Sequence, residues 1–271
     1  MTAAVLDVRP ATPPATVGFG NVLHSEWTKL RTVRSMWISA GVAVLATLVI
    51  AGVMGVRWGH LLTTHTKGSD FDAPNTLLSG LYVAQVIIGA VGVLAITSEY
   101  GTGMIRATLA AVPQRRTLLA AKAALLAAVT FLAGELVSFA AFGIGDAFLS
   151  AKHVGVSLAD PGVLRAVLGG GLYLTAIVLL GFGIGTVIRN TAGALSTLFG
   201  VLFAVNALIE LLPTDMRNAV INYLPTNAGS QIMITHPTSS ALSPWAGFGV
   251  LCLYAVVPLA VGLFLVDRRD A

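Results

Sequence analysis

The chain has 271 residues, of which 56% are hydrophobic and only 10% are charged, and its formal net charge is +4. Soluble domains carry about 25% charged residues, so this composition excludes a single soluble core. The sequence contains one cysteine, Cys252, which excludes an intramolecular disulfide and argues against a cysteine-based metal site.

Two segments precede the first long apolar run. Residues 1–20 hold three prolines among small residues, which predicts a flexible tail. Residues 21–36 place Leu23, Trp27 and Leu30 on one helical stripe between basic side chains, which predicts an amphipathic helix lying in the membrane interface. Its candidate functional residues are Glu26, Trp27, Lys29, Arg31 and Arg34.

Five later stretches contain no charged residue over twenty or more positions: Trp37–Val56, Leu77–Ser98, Ala166–Ile188, Asn190–Ile209 and Ala241–Val266. A helix needs about 20 apolar residues to cross a bilayer. A continuous apolar run of this length is expected to be helical in lipid, because a helix satisfies its own backbone hydrogen bonds. A sixth run, between Leu118 and Gly143, is interrupted by Glu135. We therefore predict an all-α polytopic membrane protein, with residues 37–271 as one six-span domain. The spans are expected at about 37–56, 77–97, 117–142, 164–188, 191–212 and 244–266.

The distribution of lysine and arginine predicts the orientation of these spans. With six spans, eleven of the sixteen basic residues fall on one side, which also holds both chain ends. The positive-inside rule places that side in the cytoplasm. The basic residues do not alternate with aromatic residues on a soluble fold, so they do not predict nucleic-acid binding.

Three polar side chains within the spans are candidates for a translocation path: Glu135, Gln85 and Asn206. An ionised group at the bilayer centre costs at least about 2.5–3.5 kcal/mol, so Glu135 is expected to face protein or water. It is a substrate-path or proton-relay residue, a buried polar contact between helices, or an acid close enough to the outer surface to be hydrated. Gln85 and Asn206 are each expected to form an interhelical hydrogen bond.

The sequence carries no recognisable catalytic motif. It has no GxxxxGK[S/T] phosphate loop, no GxSxG and no HExxH, so the chain is not expected to bind ATP by such a loop. We predict no catalytic residue, no resident metal and no cofactor bound by this chain.

The segment between the second and third spans is the most informative one. It reads Glu99-Tyr100-Gly101-Thr102-Gly103-Met104-Ile105-Arg106, and Pro113-Gln114-Arg115-Arg116 and Lys122 follow. Its apolar residues recur with helical spacing, which predicts a short helix lying across the membrane surface. The alternative is an ordinary basic loop that follows the positive-inside rule.

This segment resembles the loop after the second span of ATP-binding-cassette (ABC) transporter permeases of the type-2 exporter class. The run Ser25–Ser35 resembles the interfacial helix of the same family, in the form common in actinobacteria. The resemblance implies a subunit that pairs with a second permease copy, as a homodimer or heterodimer, and binds two ABC ATP-binding subunits. ATP and Mg would lie on those partners, so the chain would not be an enzyme by itself.

The resemblance also implies the residues that couple the two kinds of subunit. The residues expected to face the ATPase are Glu99, Tyr100, Gly101, Thr102, Ile105, Arg106, Arg115 and Arg116. The expected function is export of a hydrophobic or amphipathic substrate, with drugs as one class, across a bacterial plasma membrane. The alternatives are a proton-coupled carrier that uses Glu135, an intramembrane enzyme and a membrane anchor that transports nothing.

Overall fold

The computed structural model describes residues 18–64, 71–104, 115–238 and 240–268. Within these ranges every regular element is a helix. Six of the described helices are long and apolar enough to cross a membrane. The predicted all-α polytopic fold is therefore confirmed.

The elements follow one another in a simple order. They are α1 (Phe19–Thr32), α2 (Arg34–Thr64), α3 (Ala73–Gly101), α4 (Arg115–Ser150), α5 (Val163–Ile188), α6 (Thr191–Ile209), α7 (Thr214–Val220), α8 (Pro225–Ser230) and α9 (Pro244–Arg268). The spans are α2 to α6 and α9. A 3₁₀ step, Leu78–Gly80, interrupts α3, and α6 contains a π-helical segment, Gly200–Ala204.

Helices α2 and α4 extend well beyond the bounds predicted for them, whereas α6 ends at Ile209, before the predicted residue 212. Helix α2 continues past Arg57 to Thr64, and α4 begins at Arg115 and reaches Ser150. Charges mark the depth at which lipid ends, whereas helical backbone hydrogen bonding continues into the interface. The segment from residue 57, which lies between the first two predicted spans, is therefore helical as far as Thr64.

The predicted interfacial helix ends earlier than residue 36. Val33 adopts extended backbone (φ −81°, ψ 91°), and Arg34 belongs to α2. The indole N–H of Trp37 donates to the carbonyl oxygen of Leu30 at 3.1 Å. This bond satisfies one of the carbonyls that a helix C-terminus leaves free, and it fixes the corner between α1 and α2.

Helix α5 occupies the centre of the bundle. It packs against α3, α4, α6 and α9, and most of its residues are buried. A Cβ added at Gly92 of α3 would collide with the carbonyl oxygen of Val178, and one added at Gly181 would collide with that of Gly89. The backbones of α3 and α5 are therefore in contact, as small residues allow between helices in lipid.

One end of the bundle gathers α1, the C-termini of α3 and α9, the N-terminus of α4 and the turn between α5 and α6. We call it the α1 end. The guanidinium of Arg115 donates to the carbonyl oxygen of Val266 at 3.1 Å, and the hydroxyl of Thr191 donates to that of Thr97 at 3.0 Å. The first and last described helices thus meet at the same end, as six spans require.

At the opposite end a carboxylate fixes the segment that follows α8. Asp72 Oδ2 accepts from the backbone N–H and the hydroxyl of Thr235 at 2.6 and 2.8 Å. The guanidinium of Arg165 donates to the carbonyl oxygens of Ile232 and Ile234 at 3.0 and 2.9 Å. These bonds tie the start of α3 and α5 to this segment.

The region between α6 and α9 contains two short helices in different surroundings. The apolar side chains in and just after α7 are exposed: Met216, Val220 and Tyr223. Helix α8 and the following turn enter the core, where Ile232 and Met233 are fully buried against α5 and α9. Pro225 is the first residue of α8, a position that tolerates its missing N–H.

Candidate functional site

Four charged side chains meet at the α1 end and join three helices. Lys122 Nζ of α4 lies 2.6 Å from Glu26 Oε2 of α1 and 2.6 Å from Glu99 Oε1 of α3. Lys29 Nζ of α1 lies 2.7 Å from Glu26 Oε1 and 3.5 Å from Glu99 Oε1. We call these four residues the charged cluster. Its two carboxylates and two ammonium groups cancel in charge.

The cluster is mostly removed from solvent. The exposed fractions are 2% for Glu26, 4% for Glu99 and 7% for Lys122. Lys122 lies seven residues inside α4, about two turns from its first residue, so its ammonium reaches the space between the helices. Loss of one partner from such a buried pair leaves an uncompensated charge. The cluster therefore holds α1 against the ends of α3 and α4.

The cluster shifts the ionisation of its α1 members. Burial raises the pKa of Glu26, but the ammonium groups of Lys122 and Lys29 outweigh it and set that pKa below the ordinary value of 4.5. Burial lowers the pKa of Lys29, but the carboxylates of Glu26 and Glu99 outweigh it and raise that pKa above 10.5. Both groups are therefore ionised at neutral pH.

The end of α3 sets the direction in which the chain leaves the cluster. The N–H of Thr102 donates to the carbonyl oxygen of Ser98 at 3.1 Å, and Gly103 has φ +71°. Glycine adopts this left-handed conformation without strain and ends helices for that reason. Gly103 therefore terminates α3. Gly101 and Thr102 are exposed at this corner.

Tyr100 connects α3 to the turn between α5 and α6. The guanidinium carbon of Arg189 lies 5.1 Å from the centroid of the Tyr100 ring, within the range of a cation–π contact. Arg189 caps α5 in the left-handed conformation, with φ +60°. Tyr100, a predicted coupling residue, thus links α3 to the turn that joins α5 and α6.

The structure separates the predicted coupling residues into distinct environments. Ile105 and Arg106 lie outside the described residues. Arg115 bonds to the end of α9, and Arg116 is exposed at the start of α4. Glu99 was expected to face a partner directly, but it is buried and paired with lysines.

The residues predicted on the interfacial helix also lie in two different environments. Glu26 and Lys29 belong to the charged cluster. Arg31 and Arg34 are exposed, and the Arg31 guanidinium carbon lies 6.0 Å from the centroid of the Trp27 ring. The exposed side of the corner between α1 and α2 therefore carries Arg31 and Arg34, while the inward surface of α1 carries the ion pairs.

Two of the predicted path residues form the interhelical hydrogen bonds expected of them. Gln85 Oε1 of α3 accepts from the hydroxyl of Tyr173 on α5 at 2.5 Å. Asn206 Oδ1 of α6 accepts from Asn227 Nδ2 of α8 at 2.9 Å. Both amides hold helices together at separate places in the bundle.

Glu135 lies in a third place, at the contact between α4 and α5. A Cβ added at Gly171 would lie 2.5 Å from Glu135 Oε1, so the carboxyl group fills the space that this glycine leaves. Both carboxyl oxygens are buried, and neither has a hydrogen-bond partner among the described residues. The three candidate path residues therefore do not form one cluster.

Lys122 is the member of the cluster that sequence reasoning did not select. It appears among the basic residues that indicate topology and among those that follow the coupling segment, without a role of its own. Lys122 lies two turns after Arg115 in an otherwise apolar helix. A lysine at such a position is buried only when it is paired, so the sequence indicates an acidic partner inside the fold. The sequence alone does not say which carboxylate it meets.

Comparison with known proteins identifies a family for most of the chain. A family model described as ABC-2 family transporter protein matches residues 22–210, which is well over half of the chain. The matched region runs from α1 through α6 and includes all four residues of the charged cluster. A search of curated proteins found no match.

Proposed function

Because the chain belongs to the ABC-2 transporter family and is thus the membrane permease component of an ABC transporter, we propose that its α1 end receives a separate ATP-binding subunit. The charged cluster carries this proposal. It joins α1 to the two spans that flank the segment expected to contact the ATPase, so a force applied there reaches three helices at once.

The proposed orientation places the α1 end in the cytoplasm of a bacterial cell. The basic residues of α1, of the start of α4 and of the turn at Arg189 lie at this end, and the positive-inside rule favours that side. Both chain ends would then be cytoplasmic, and the transporter would act in the plasma membrane.

In the proposed mechanism this chain contributes movement rather than covalent chemistry. Two ATP-binding subunits bind ATP and Mg, close on one another and push the α1 ends of two permease copies. Since α1, α3 and α4 are tied by the charged cluster, they shift as a unit against α5. The paired bundles then alternate between inward-open and outward-open states, which is a bistable rearrangement of packed helices.

The proposed substrate is hydrophobic or amphipathic, and export is the proposed direction. The spans offer few fixed charges, which suits an apolar molecule better than an ion. Drugs and similar toxic compounds are the proposed substrate class by analogy with the family.

Charge reversal at the coupling segment tests this function. Arg106→Glu should lower the amount of ATP-binding subunit that co-purifies in mild detergent by at least about fivefold, because a like charge opposes docking. The matched control is Arg57→Glu, an exposed arginine of α2 near the opposite end. Equal recovery of the subunit with both variants, and normal ATP-driven export, would contradict the proposal.

One observation favours a second candidate function, a proton-coupled carrier. The carboxyl oxygens of Glu135 are buried without a hydrogen-bond partner among the described residues, an arrangement suited to a group that gains and loses a proton. In this case Glu135→Gln would abolish transport driven by a proton gradient in vesicles without ATP. Transport that needs ATP and survives Glu135→Gln would reject the carrier.

A further inference from the structure

Helix α6 contains a segment, Gly200–Ala204, in which the backbone is π-helical. The N–H of Val205 donates to the carbonyl oxygen of Gly200, five residues earlier, whereas an α-helix bonds residues four apart. Regular α-helix precedes this segment at Thr191–Phe199 and follows it at Val205–Ile209. Single π turns within α-helices are rare and frequently lie at functional sites. We call Gly200–Ala204 the π segment.

Two side chains donate to one carbonyl oxygen of the π segment. The carbonyl oxygen of Leu202 accepts from the side-chain amide of Asn206 at 2.9 Å and from the hydroxyl of Thr226 at 3.2 Å. In lipid, an irregular turn is tolerated where neighbouring groups satisfy its backbone. Asn206 Oδ1 in turn accepts from Asn227 Nδ2 at 2.9 Å. Helix α8 therefore holds the π segment directly through Thr226 and indirectly through Asn206.

Helix α8 is a firm support for these bonds. The residues that follow it, Ile232 and Met233, are fully buried against α5 and α9. The side chain of Thr226 also adjoins the hydroxyl of Tyr173 on α5, which donates to Gln85 on α3. The second part of α6, Val205–Ile209, is therefore tied to the centre of the bundle.

The first part of α6, Thr191–Phe199, is anchored elsewhere, at the α1 end. The hydroxyl of Thr191 donates to that of Thr97 on α3 at 3.0 Å. Arg189, in the turn before α6, contacts the ring of Tyr100. Helix α6 thus connects the α1 end to α8, and the π segment lies between the two connections.

The first residue of the π segment weakens the helix further. No described atom would lie within 4 Å of a Cβ added at Gly200, so close packing does not require a glycine there. Its φ of −56° and ψ of −50° are those of an ordinary α-helix, so backbone strain does not require one either. Glycine is less favourable than alanine in a helix interior, which makes α6 easier to deform at this residue.

We infer that the π segment is a hinge in α6, and that Asn206 and Thr226 hold it in the π-helical register. When their bonds to Leu202 break, the segment returns to α-helical bonding. A shift of one residue in register moves one part of α6 relative to the other by about 1.5 Å along the axis and by about 100° around it. The bond between Asn206 and Asn227 keeps the second part on α8, so the first part moves.

The hinge would give the proposed mechanism a place at which a push on the α1 end changes the bundle. Because the first part of α6 is bonded to α3 at that end, a shift of α3 reaches the π segment along one helix. This role in transport rests on the proposed function, whereas the hinge itself does not.

Hydrogen exchange of the full chain in lipid nanodiscs, read peptide by peptide by mass spectrometry, tests the hinge. Thr226→Val removes one donor to Leu202 and should speed exchange of the amides of residues 200–206 about fivefold. The amides of Thr191–Phe199 should exchange at an unchanged rate, because their anchor lies at the α1 end. An unchanged rate in the π segment, or an equal rise along the whole of α6, would overturn the inference.

Alanine at the hinge tests it in the opposite direction. Gly200→Ala has room for its methyl group and favours regular helix, so it should slow exchange in the π segment about fivefold. The matched control is Gly249→Ala in α9, where an added Cβ also meets no described atom within 4 Å. This control should leave exchange in the π segment unchanged, and equal effects of the two substitutions would contradict a hinge at Gly200.

ATP-driven export by the reconstituted transporter separates the hinge from its role. Gly200→Ala should lower the export rate at least about threefold, because stiffening a hinge slows the conformational step, while the ATP-binding subunit still co-purifies. Slower exchange with an unchanged export rate would reject the role in transport and leave the hinge established. If the unsubstituted chain shows no ATP-driven export, the proposed function fails and the exchange rates alone decide whether the hinge exists.

Discussion

At the scale of single residues, the most important feature is that Lys122 forms ion pairs with two carboxylates. Its ammonium lies 2.6 Å from both Glu26 and Glu99. A buried ion pair adds little net stability compared with an apolar contact, but removal of one member is strongly destabilising. The two acids therefore depend on this lysine, and α1 depends on the acids for its position.

Lys122→Met should lower the free energy of unfolding by about 3–5 kcal/mol, because it leaves two buried carboxylates with only the half-exposed Lys29. Thermal unfolding of the purified protein in one detergent measures this loss. The control is Lys152→Met, a lysine that is exposed beyond α4. Equal unfolding temperatures for the two variants would show that the cluster is not structural.

The ion pairs also predict a pH window for the packing of α1. The pKa of Glu26 is depressed, so its contribution is complete above its ordinary value of 4.5 and is lost as pH falls through the depressed pKa. The pKa of Lys29 is raised, so its contribution is complete below 10.5 and is lost as pH rises through the raised pKa. Packing of α1 should therefore hold across neutral pH and weaken outside both limits.

Fluorescence of Trp27 and Trp37, in a variant whose Trp58 and Trp245 are phenylalanine, follows this packing during a pH titration. Glu26→Gln should flatten the acid limb. Glu210→Gln, which alters an exposed carboxylate paired with Arg217, should leave the titration unchanged. A titration that is identical for Glu26→Gln and the unsubstituted chain would contradict the assignment of the acid limb to Glu26.

How far the sequence predicts the site depends on the residue. The sequence selects Glu26, Lys29 and Glu99 through the resemblance of their segments to a permease family, and their part in coupling stays a prediction. It does not reveal that these side chains pair with one another, because their partners come from three helices separated by up to 96 positions in the chain. Pairing of this kind is a property of the tertiary packing.

At the scale of helices, the spans were predictable and their ends were not. Long apolar runs identify helices in lipid because no other structure satisfies the backbone there. Helix ends depend instead on local bonds, such as the Trp37 indole that closes α1 and the left-handed Gly103 that ends α3. Helix α8 runs towards the core because Ile232 and Met233, which follow it, are buried. The polar residues around these two positions in the sequence do not predict that burial.

The contact between α3 and α5 predicts which glycines resist substitution. Gly92→Ala places a methyl group against the Val178 carbonyl oxygen and should destabilise the protein by about 1–3 kcal/mol. Gly143→Ala has no neighbour within 4 Å and should leave stability unchanged or raise it by up to about 1 kcal/mol, because Ala favours a helix interior more than Gly does. Thermal unfolding of both variants, purified identically, distinguishes the two positions, and equal stability would contradict backbone contact between these spans.

At the scale of the whole molecule, the contacts that join different spans differ between the two ends. The opposite end is fixed by hydrogen bonds from Asp72 and Arg165 to backbone groups of one segment. The α1 end joins α1, α3, α4, α5 and α9 through side-chain charges. In the proposed mechanism the permease receives force at one end and transmits it to several spans, and the connections at the α1 end suit that role.

Site-specific photocrosslinking measures the central claim most directly. A photoreactive amino acid at the exposed Thr102 of the α1 end, in cells, should capture a soluble protein that carries a GxxxxGK[S/T] phosphate loop. The same amino acid at Leu158, exposed at the opposite end, should not capture it. Capture from Thr102 alone is the result we predict; capture of such a protein from Leu158, or from neither position in intact membranes, would contradict the account.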